Sequence, residues 1–166
     1  MSAFIANQPN PAPSTLDKLD PLPEDGEFFP DVDMNMVRKA LRIDGTVTPE
    51  RMRNAAIAAQ MQLSAELKPL RSSETGLSAL WQLDLFNRGT PLAEKPEFSR
   101  SEELYFRAIV CLTGAELTDR YRSFDSTGEG HKRADVLEET IGNLRRDARW
   151  AIRDLLGRTR TTVELI

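Results

Sequence analysis

Apolar residues of this 166-residue chain recur at helical spacing in three long stretches and one short one. The longest regular pattern is the last. Ala134, Leu137, Ile141, Leu144, Ala148, Ala151 and Leu155 step alternately by three and four. Such a seam, held for about three heptads, predicts a helix packed at a shallow angle against antiparallel neighbours. Acids (Asp135, Glu138, Glu139) crowd its start, and Arg145, Arg146, Arg149 and Arg153 follow toward its end, as the helix dipole favours. Gly157 supplies a stop.

"SRSEELYFRAIVCLTGAELTDRYR" predicts a second helix, with Ser99 and Glu102 at the spacing of a capping box. Leu104, Ala108, Cys111, Leu112 and Ala115 form its core face. The run from Leu104 to Leu112 is apolar almost all round, so this helix is expected to be covered on more than one side. "TVTPERMRNAAIAAQMQLSAEL" predicts a third, with Thr48 as N-cap and Pro49 at the first helical position. Met52, Ala56, Ala59, Leu63 and Leu67 line one face, the alanines admit a close helix, and Lys68-Pro69 ends it. A short helix precedes it, capped by Asp33, with Val37, Ala40 and Leu41 on one side before Asp44-Gly45.

Three stretches lack that period. Six of the ten prolines fall in residues 1–30, where they block helix, and this segment reads as an extended acidic arm. Its apolar residues, among them Phe28 and Phe29, suit an arm lying on its own domain or on a neighbour. Residues 69–98, broken by Gly76, Gly89, Pro91 and Pro96, read as a long, partly ordered connection. The last residues, "RTRTTVELI", change to a period of two: Thr161, Val163 and Leu165 share one side, with Ile166 closing the run. A β-like tail of this kind has no second strand in the chain to pair with.

Composition narrows the function classes. Apolar residues are 40% and charged residues 29%, and the net charge is only −4, so the chain as a whole is no general nucleic-acid binder. Charge is unevenly spread: seven acids face one base, Lys18, within residues 1–33, leaving the remainder about +2. One cysteine, Cys111, excludes an internal disulfide and a cysteine-cluster metal site. Set in an apolar run, it reads as a small core residue. No segment has the length of a membrane span or the pattern of a signal peptide, so a cytoplasmic protein is expected.

The stretch with the best claim to chemistry is "FDSTGEGHKRA", residues 124–134, with the only histidine, His131. A phosphate loop needs Gly, four residues, then Gly-Lys-Ser/Thr after a buried strand. Here Gly130 is followed by His-Lys-Arg, and a helix precedes it. No nucleophile or orienting carboxylate is set for a histidine base, so the stretch reads as the turn between two antiparallel helices. Glu102-Glu103 and Glu138-Glu139 are adjacent pairs that diverge round a helix, and no Glu-x-x-His pattern exists. Catalytic, cofactor and metal residues are therefore expected to be absent. Arg145, Arg149 and Arg153 do form a stripe, suited to solvent, to phosphate or to an acidic protein surface.

"FFPDVDMNMVRKALRIDGTVTPERMRNAAIAAQ" and "YFRAIVCLTGAELTDRYRSFDSTGEGHKRADVLEETIGNLRRDARWAIRDLLG" resemble the head completion (head stabilisation) proteins of contractile-tailed temperate bacteriophages. The likeness rests on Phe28-Phe29-Pro30-Asp31, Val47-x-Pro49, Tyr105-x-Arg107-Ala108, Tyr121-Arg122, the Asp125–Ala134 loop with Lys132, Arg146-Asp147-x-Arg149-Trp150-Ala151 and a C-terminal isoleucine. The resemblance implies an all-α subunit of a homo-oligomeric ring of about twelve copies, an adaptor beneath the portal that stabilises the DNA-filled head and prepares it for the tail. It implies as partners the portal protein and a tail-side neck or tail terminator protein, with DNA passing through without sequence-specific binding. Assembly would occur in the host cytoplasm, and the finished place would be the virion neck, without a membrane.

The expectation is thus an antiparallel helix bundle over residues 31–157, an N-terminal arm over 1–30 and a C-terminal tail over 158–166. Thr161, Val163, Leu165 and Ile166 are expected to bind the portal. Phe28, Phe29, Arg145, Arg149 and Arg153 are expected at subunit interfaces. The rival reading is a helical DNA-binding or packaging factor, for which the only candidate face is the arginine stripe.

Overall fold

A computed structural model describes residues 16–43, 47–72, 74–92, 94–122 and 130–159, without the side chains of 121–122 and 130–137. The chain is mainly helical. Its described elements are β1 (Lys18–Leu19), β2 (Val32–Asp33), α1 (Met34–Leu41), α2 (Pro49–Glu66), α3 (Gln82–Arg88), α4 (Arg100–Arg122) and α5 (Gly130–Leu155). The two strands pair antiparallel, Lys18 opposite Asp33 and Leu19 opposite Val32.

The central element is α4. Between positions 100 and 120 only Arg100, Glu103, Arg107 and Arg120 are exposed, so its near-continuous apolar run is matched by cover on several sides. It packs along most of its length on α5 and on α2, and it also touches α1 and α3. Arg107 pairs with Asp147 at 3.4 Å and Asp119 with Arg145 at 3.0 Å. Rising positions on α4 thus meet falling positions on α5, and the two helices run antiparallel. Gly114 lets them and α1 come close: a Cβ there would lie 2.6 Å from Leu41 Cδ2 and 3.4 Å from Leu144 Cδ1.

The seam on α5 is buried at Ile141, Ala148, Ala151 and Leu155, with Ile152 added. Leu144 is only half-buried, and the side chains of Ala134 and Leu137 lie outside the described residues. On α2 all five expected core residues are buried, joined by Ala55, Gln60 and Ser64. Thr48 Oγ1 accepts from Arg51 N at 3.4 Å and Pro49 opens the helix, as its sequence predicts. Asp33 Oδ1 caps α1 through Asn35 N at 2.8 Å and Met36 N at 3.3 Å. The buried face of α1 is Met34 and Val37, whereas Ala40 is exposed. The helix stops at Arg42 in the left-handed region (φ 52°).

Residues 16–33 are no free arm: of the two surfaces expected for the arm, its own domain or a neighbour, they lie on their own domain. They fold back over α2 through the β1–β2 ladder and a 3-10 turn at Pro23–Asp25, burying Leu19, Phe28, Phe29 and Val32. Here the prolines shape turns, and the apolar residues add about 25 cal/mol per Å2 of buried area. Residues 68–98 are no bare connection either. They hold a 3-10 turn (Lys68–Arg71) and α3, and they bury Leu70, Leu80 and Leu83. Leu80 N donates to Phe28 O at 2.8 Å, tying this stretch to the folded-back segment.

Asp84 explains why α3 stands where it does. Its buried carboxylate accepts from Ser99 Oγ (2.8 Å), Ser101 N (3.1 Å) and Ser101 Oγ, and so caps the start of α4 from another helix. Ser99 Oγ accepts from Glu102 N at 3.3 Å, one half of the capping box. Glu102 turns instead to Lys95 at 2.8 Å. Asp84→Ala strips the cap and leaves two serines short of a partner. It should cost about 3 kcal/mol, read as a lower urea midpoint at unchanged slope.

Tyr105 gives a pH-dependent test. Its ring stacks on Phe29 (4.8 Å between centroids), and its hydroxyl faces Gln60 without a hydrogen bond of good geometry. Burial, far more than its neighbours, holds the hydroxyl well above the ordinary value near 10. A folded-state value raised by desolvation leaves stability unchanged below pH 10 and lowers it progressively as pH rises beyond the unfolded value near 10. Tyr105→Phe should leave the midpoint at pH 7 unchanged or higher by up to about 1 kcal/mol. It should also flatten the loss of stability above pH 10, measured by denaturation at pH 7, 10 and 11.

Candidate interaction surfaces

Two stripes of α4 receive different partners. Arg107, Cys111, Gly114 and Ala115 lie toward α5, while Tyr105 and Ile109 lie roughly 150° round the helix, toward α2. The subunit therefore has an α2 flank and an α5 flank, and these differ in charge.

The α2 flank carries the folded-back segment. Gln60 Nε2 donates to Asp20 O at 2.9 Å, and Arg53 donates to Lys18 O at 2.6 Å. The firmest fastening is buried. Asp25, its side chain without exposure, pairs with Arg71 at 2.6 Å and accepts from Ser64 Oγ at 2.6 Å, and Arg71 also donates to Glu24 O and Ser64 O. Arg71 further lies over the Phe29 ring at 5.8 Å. Phe28 and Phe29, expected at a subunit interface, are thus 6% and 2% exposed inside their own chain. Aromatic area that stacks on Phe28, Tyr105 and Arg71 is not available to a neighbour. Outside, Lys18 bridges Asp31 (2.7 Å) and Asp20 (3.1 Å), and these carboxylates, Asp31 first, raise its pKa. Glu24 and Glu27 are exposed with no side-chain partner among the described residues.

The C-terminal part of the α5 flank, residues 141–159, is basic. Arg145 is tied to Asp119 at 3.0 Å, and Arg153 donates to Thr159 O at 3.3 Å. Arg146 lies over the Trp150 ring at 4.9 Å. Arg149 is exposed, with no partner among the described residues. The expected stripe of three is thus one open guanidinium between two engaged ones. Arg146 on Trp150 enlarges it, a pair that the adjacent "RW" spacing hides and the i, i+4 spacing could have shown.

A third surface went unread. Phe86 and Phe98 are 56% and 66% exposed, each within two residues of the Asp84–Ser99 hydrogen bond. A cleft of about 170 Å3 lined by Asp84, Arg88, Arg100 and Leu155 joins this end of the molecule to the end of α5. The tail residues Thr161, Val163, Leu165 and Ile166 lie outside the described residues, beyond Thr159 at that end.

Among the described residues no group of three His, Cys, Asp or Glu side chains could hold a metal ion. No described helix is long and apolar enough to cross a membrane. Cys111 is buried, and burial first, then Asp147, pushes its thiol upward against the opposing pull of Arg107. It is an unreactive core residue. The backbone of His131 is helical, since α5 begins at Gly130, while its side chain and residues 123–129 lie outside the described residues.

Residues 24–166 match the family model for the phage head completion protein (GPL). The chain belongs to that family. A curated relative, the head completion/stabilization protein of Escherichia phage P2, is 33% identical over 144 residues, covering 84% of this chain and 79% of the relative. No solved structure matches. The family is a structural one of phage heads, consistent with surfaces in place of an active site.

The arginines separate folding from contact. Arg149→Glu should leave the melting midpoint within the scatter of the wild type, since no intrachain partner is lost. Arg145→Glu should cost up to about 1 kcal/mol, because it sets two acids together in an exposed pair. Calorimetry of both variants in low salt checks the contrast.

Proposed function

We propose that the protein is a head-completion adaptor: a homo-oligomeric ring of about twelve subunits beneath the portal, at the neck of the DNA-filled head, that readies it for tail joining. The carrying observation is the reach of the family match, which spans residues 24–166 and so takes in every described helix, the arginines of α5 and the tail. Membership carries the structural part in head assembly; the ring, the portal above it and a tail-side neck or tail terminator protein below it are the finer reading. Assembly takes place in the host cytoplasm, and the subunit ends in the virion neck. DNA passes through the ring without sequence-specific binding. The rival role of a DNA-binding or packaging factor is weakened by Arg145 and Arg153, which spend their donors on Asp119 and on the backbone of Thr159.

The tail reaches the portal. A lone strand has no ladder of its own, and it satisfies its backbone by adding to a sheet edge of another protein, with Thr161, Val163 and Leu165 on one face and Ile166 beside it. Seven residues bury less than the roughly 1,200 Å2 of a specific interface. Phe86 and Phe98, exposed at the end from which the tail departs, supply the missing apolar area.

Deleting residues 160–166 should leave a soluble subunit with unchanged circular dichroism that no longer captures purified portal protein. Equal capture by full-length and shortened chains would remove the tail from the contact, and capture by neither would remove the portal as partner.

A further inference from the structure

The charged flanks carry an inference about how copies meet, which rests on the ring reading above. Residues 16–33 hold seven acids against Lys18, and only Asp25 among those acids is buried. The segment is fastened to α2 through Gln60, Ser64 and Arg71. Residues 141–159 hold five arginines against two aspartates. The Arg149 side chain has no partner among the described residues, and neither do the carboxylates of Glu24 and Glu27 on the other flank. The central helix α4 stands between the two flanks.

We infer that the acidic folded-back segment of one subunit docks on the Arg146–Trp150–Arg149 face of α5 in a second copy of this chain. Charge complementarity selects the occupant, since the excess of one flank is opposite in sign to that of the other. The placement selects the symmetry. Patches on different flanks do not share one contact face, so a single two-fold contact cannot bring both pairs together. They pair head to tail, and such an interface repeats until it closes into a ring or runs on as a filament. Tryptophan and arginine are also the side chains that most often anchor protein contacts, and Arg146 is already ordered over Trp150 at 4.9 Å.

Charge reversal tests this in the purified full-length chain by sedimentation in low salt, with circular dichroism as the control for folding. The wild type should associate as its concentration rises and dissociate when salt is raised to about 0.5 M. Glu24→Lys with Glu27→Lys, and separately Arg146→Glu with Arg149→Glu, should each give a folded monomer. Mixing the two variants should restore association, because every contact in an alternating assembly again joins opposite signs. A wild type that stays monomeric overturns the inference, as does a mixture that does not associate. Duplex DNA bound through the arginines in place of self-association overturns it too. Wild-type oligomers that survive both reversals place the contact elsewhere, and portal capture then judges the head-completion reading independently.

Discussion

The burial of α4 on nearly every side is the constraint from which the other features follow. A helix in that position cannot leave its first backbone donors or the Tyr105 side chain to water. Its start is therefore capped from outside by Asp84, which requires α3 to stand against it. Its α2-facing stripe receives Tyr105, and Phe29 stacks there only because the N-terminal segment folds back. Its α5-facing stripe is made of small residues, and Gly114 admits Leu41 and Leu144 at distances that a Cβ would close.

The fastening of the N-terminal segment shows how apolar and ionic terms divide the work. Leu19, Phe28, Phe29 and Val32 supply the area that draws the segment down. The Asp25–Arg71 pair adds less net energy than its 2.6 Å separation suggests, since both charges give up water. Its value is in register. Arg71 reaches Asp25, Glu24 O, Ser64 O and Ser64 Oγ at once, and a slip of one residue would break that set and leave a buried charge alone.

What the sequence made legible was periodic and local. The α2 face, the Thr48 and Asp33 caps and most of the α5 seam follow from spacing alone. The misses all involve contacts distant along the chain. Asp84 caps α4 from 15 residues away, so no local motif announced α3. Phe28 and Phe29 read as sticky because nothing nearby in sequence covers them, whereas Tyr105 does so across 76 positions. Ala40 matched the period of α1 but is exposed, and it is its neighbour Leu41 that reaches Gly114 of α4. The candidate site was half legible. The arginine stripe was visible as a pattern, but which of its members was already spent on Asp119 or on the backbone was not.

The same geometry shows how the core uses its polar groups in a chain of a structural phage-head family. Three buried polar side chains hold segments together: Asp84 binds two serines, Asp25 binds Arg71 and Ser64, and Gln60 binds the backbone of Asp20. A catalytic group needs the reverse, a buried polar atom aimed into open space where a substrate can meet it. The unspent chemistry of this subunit lies outside, as Arg149, as the exposed glutamates of the folded-back segment and as the rings of Phe86 and Phe98. These are long-range charge and apolar area on three different sides of one rigid helical core. That arrangement leaves charge and apolar area at the surface, where a structural protein of the phage head meets other proteins.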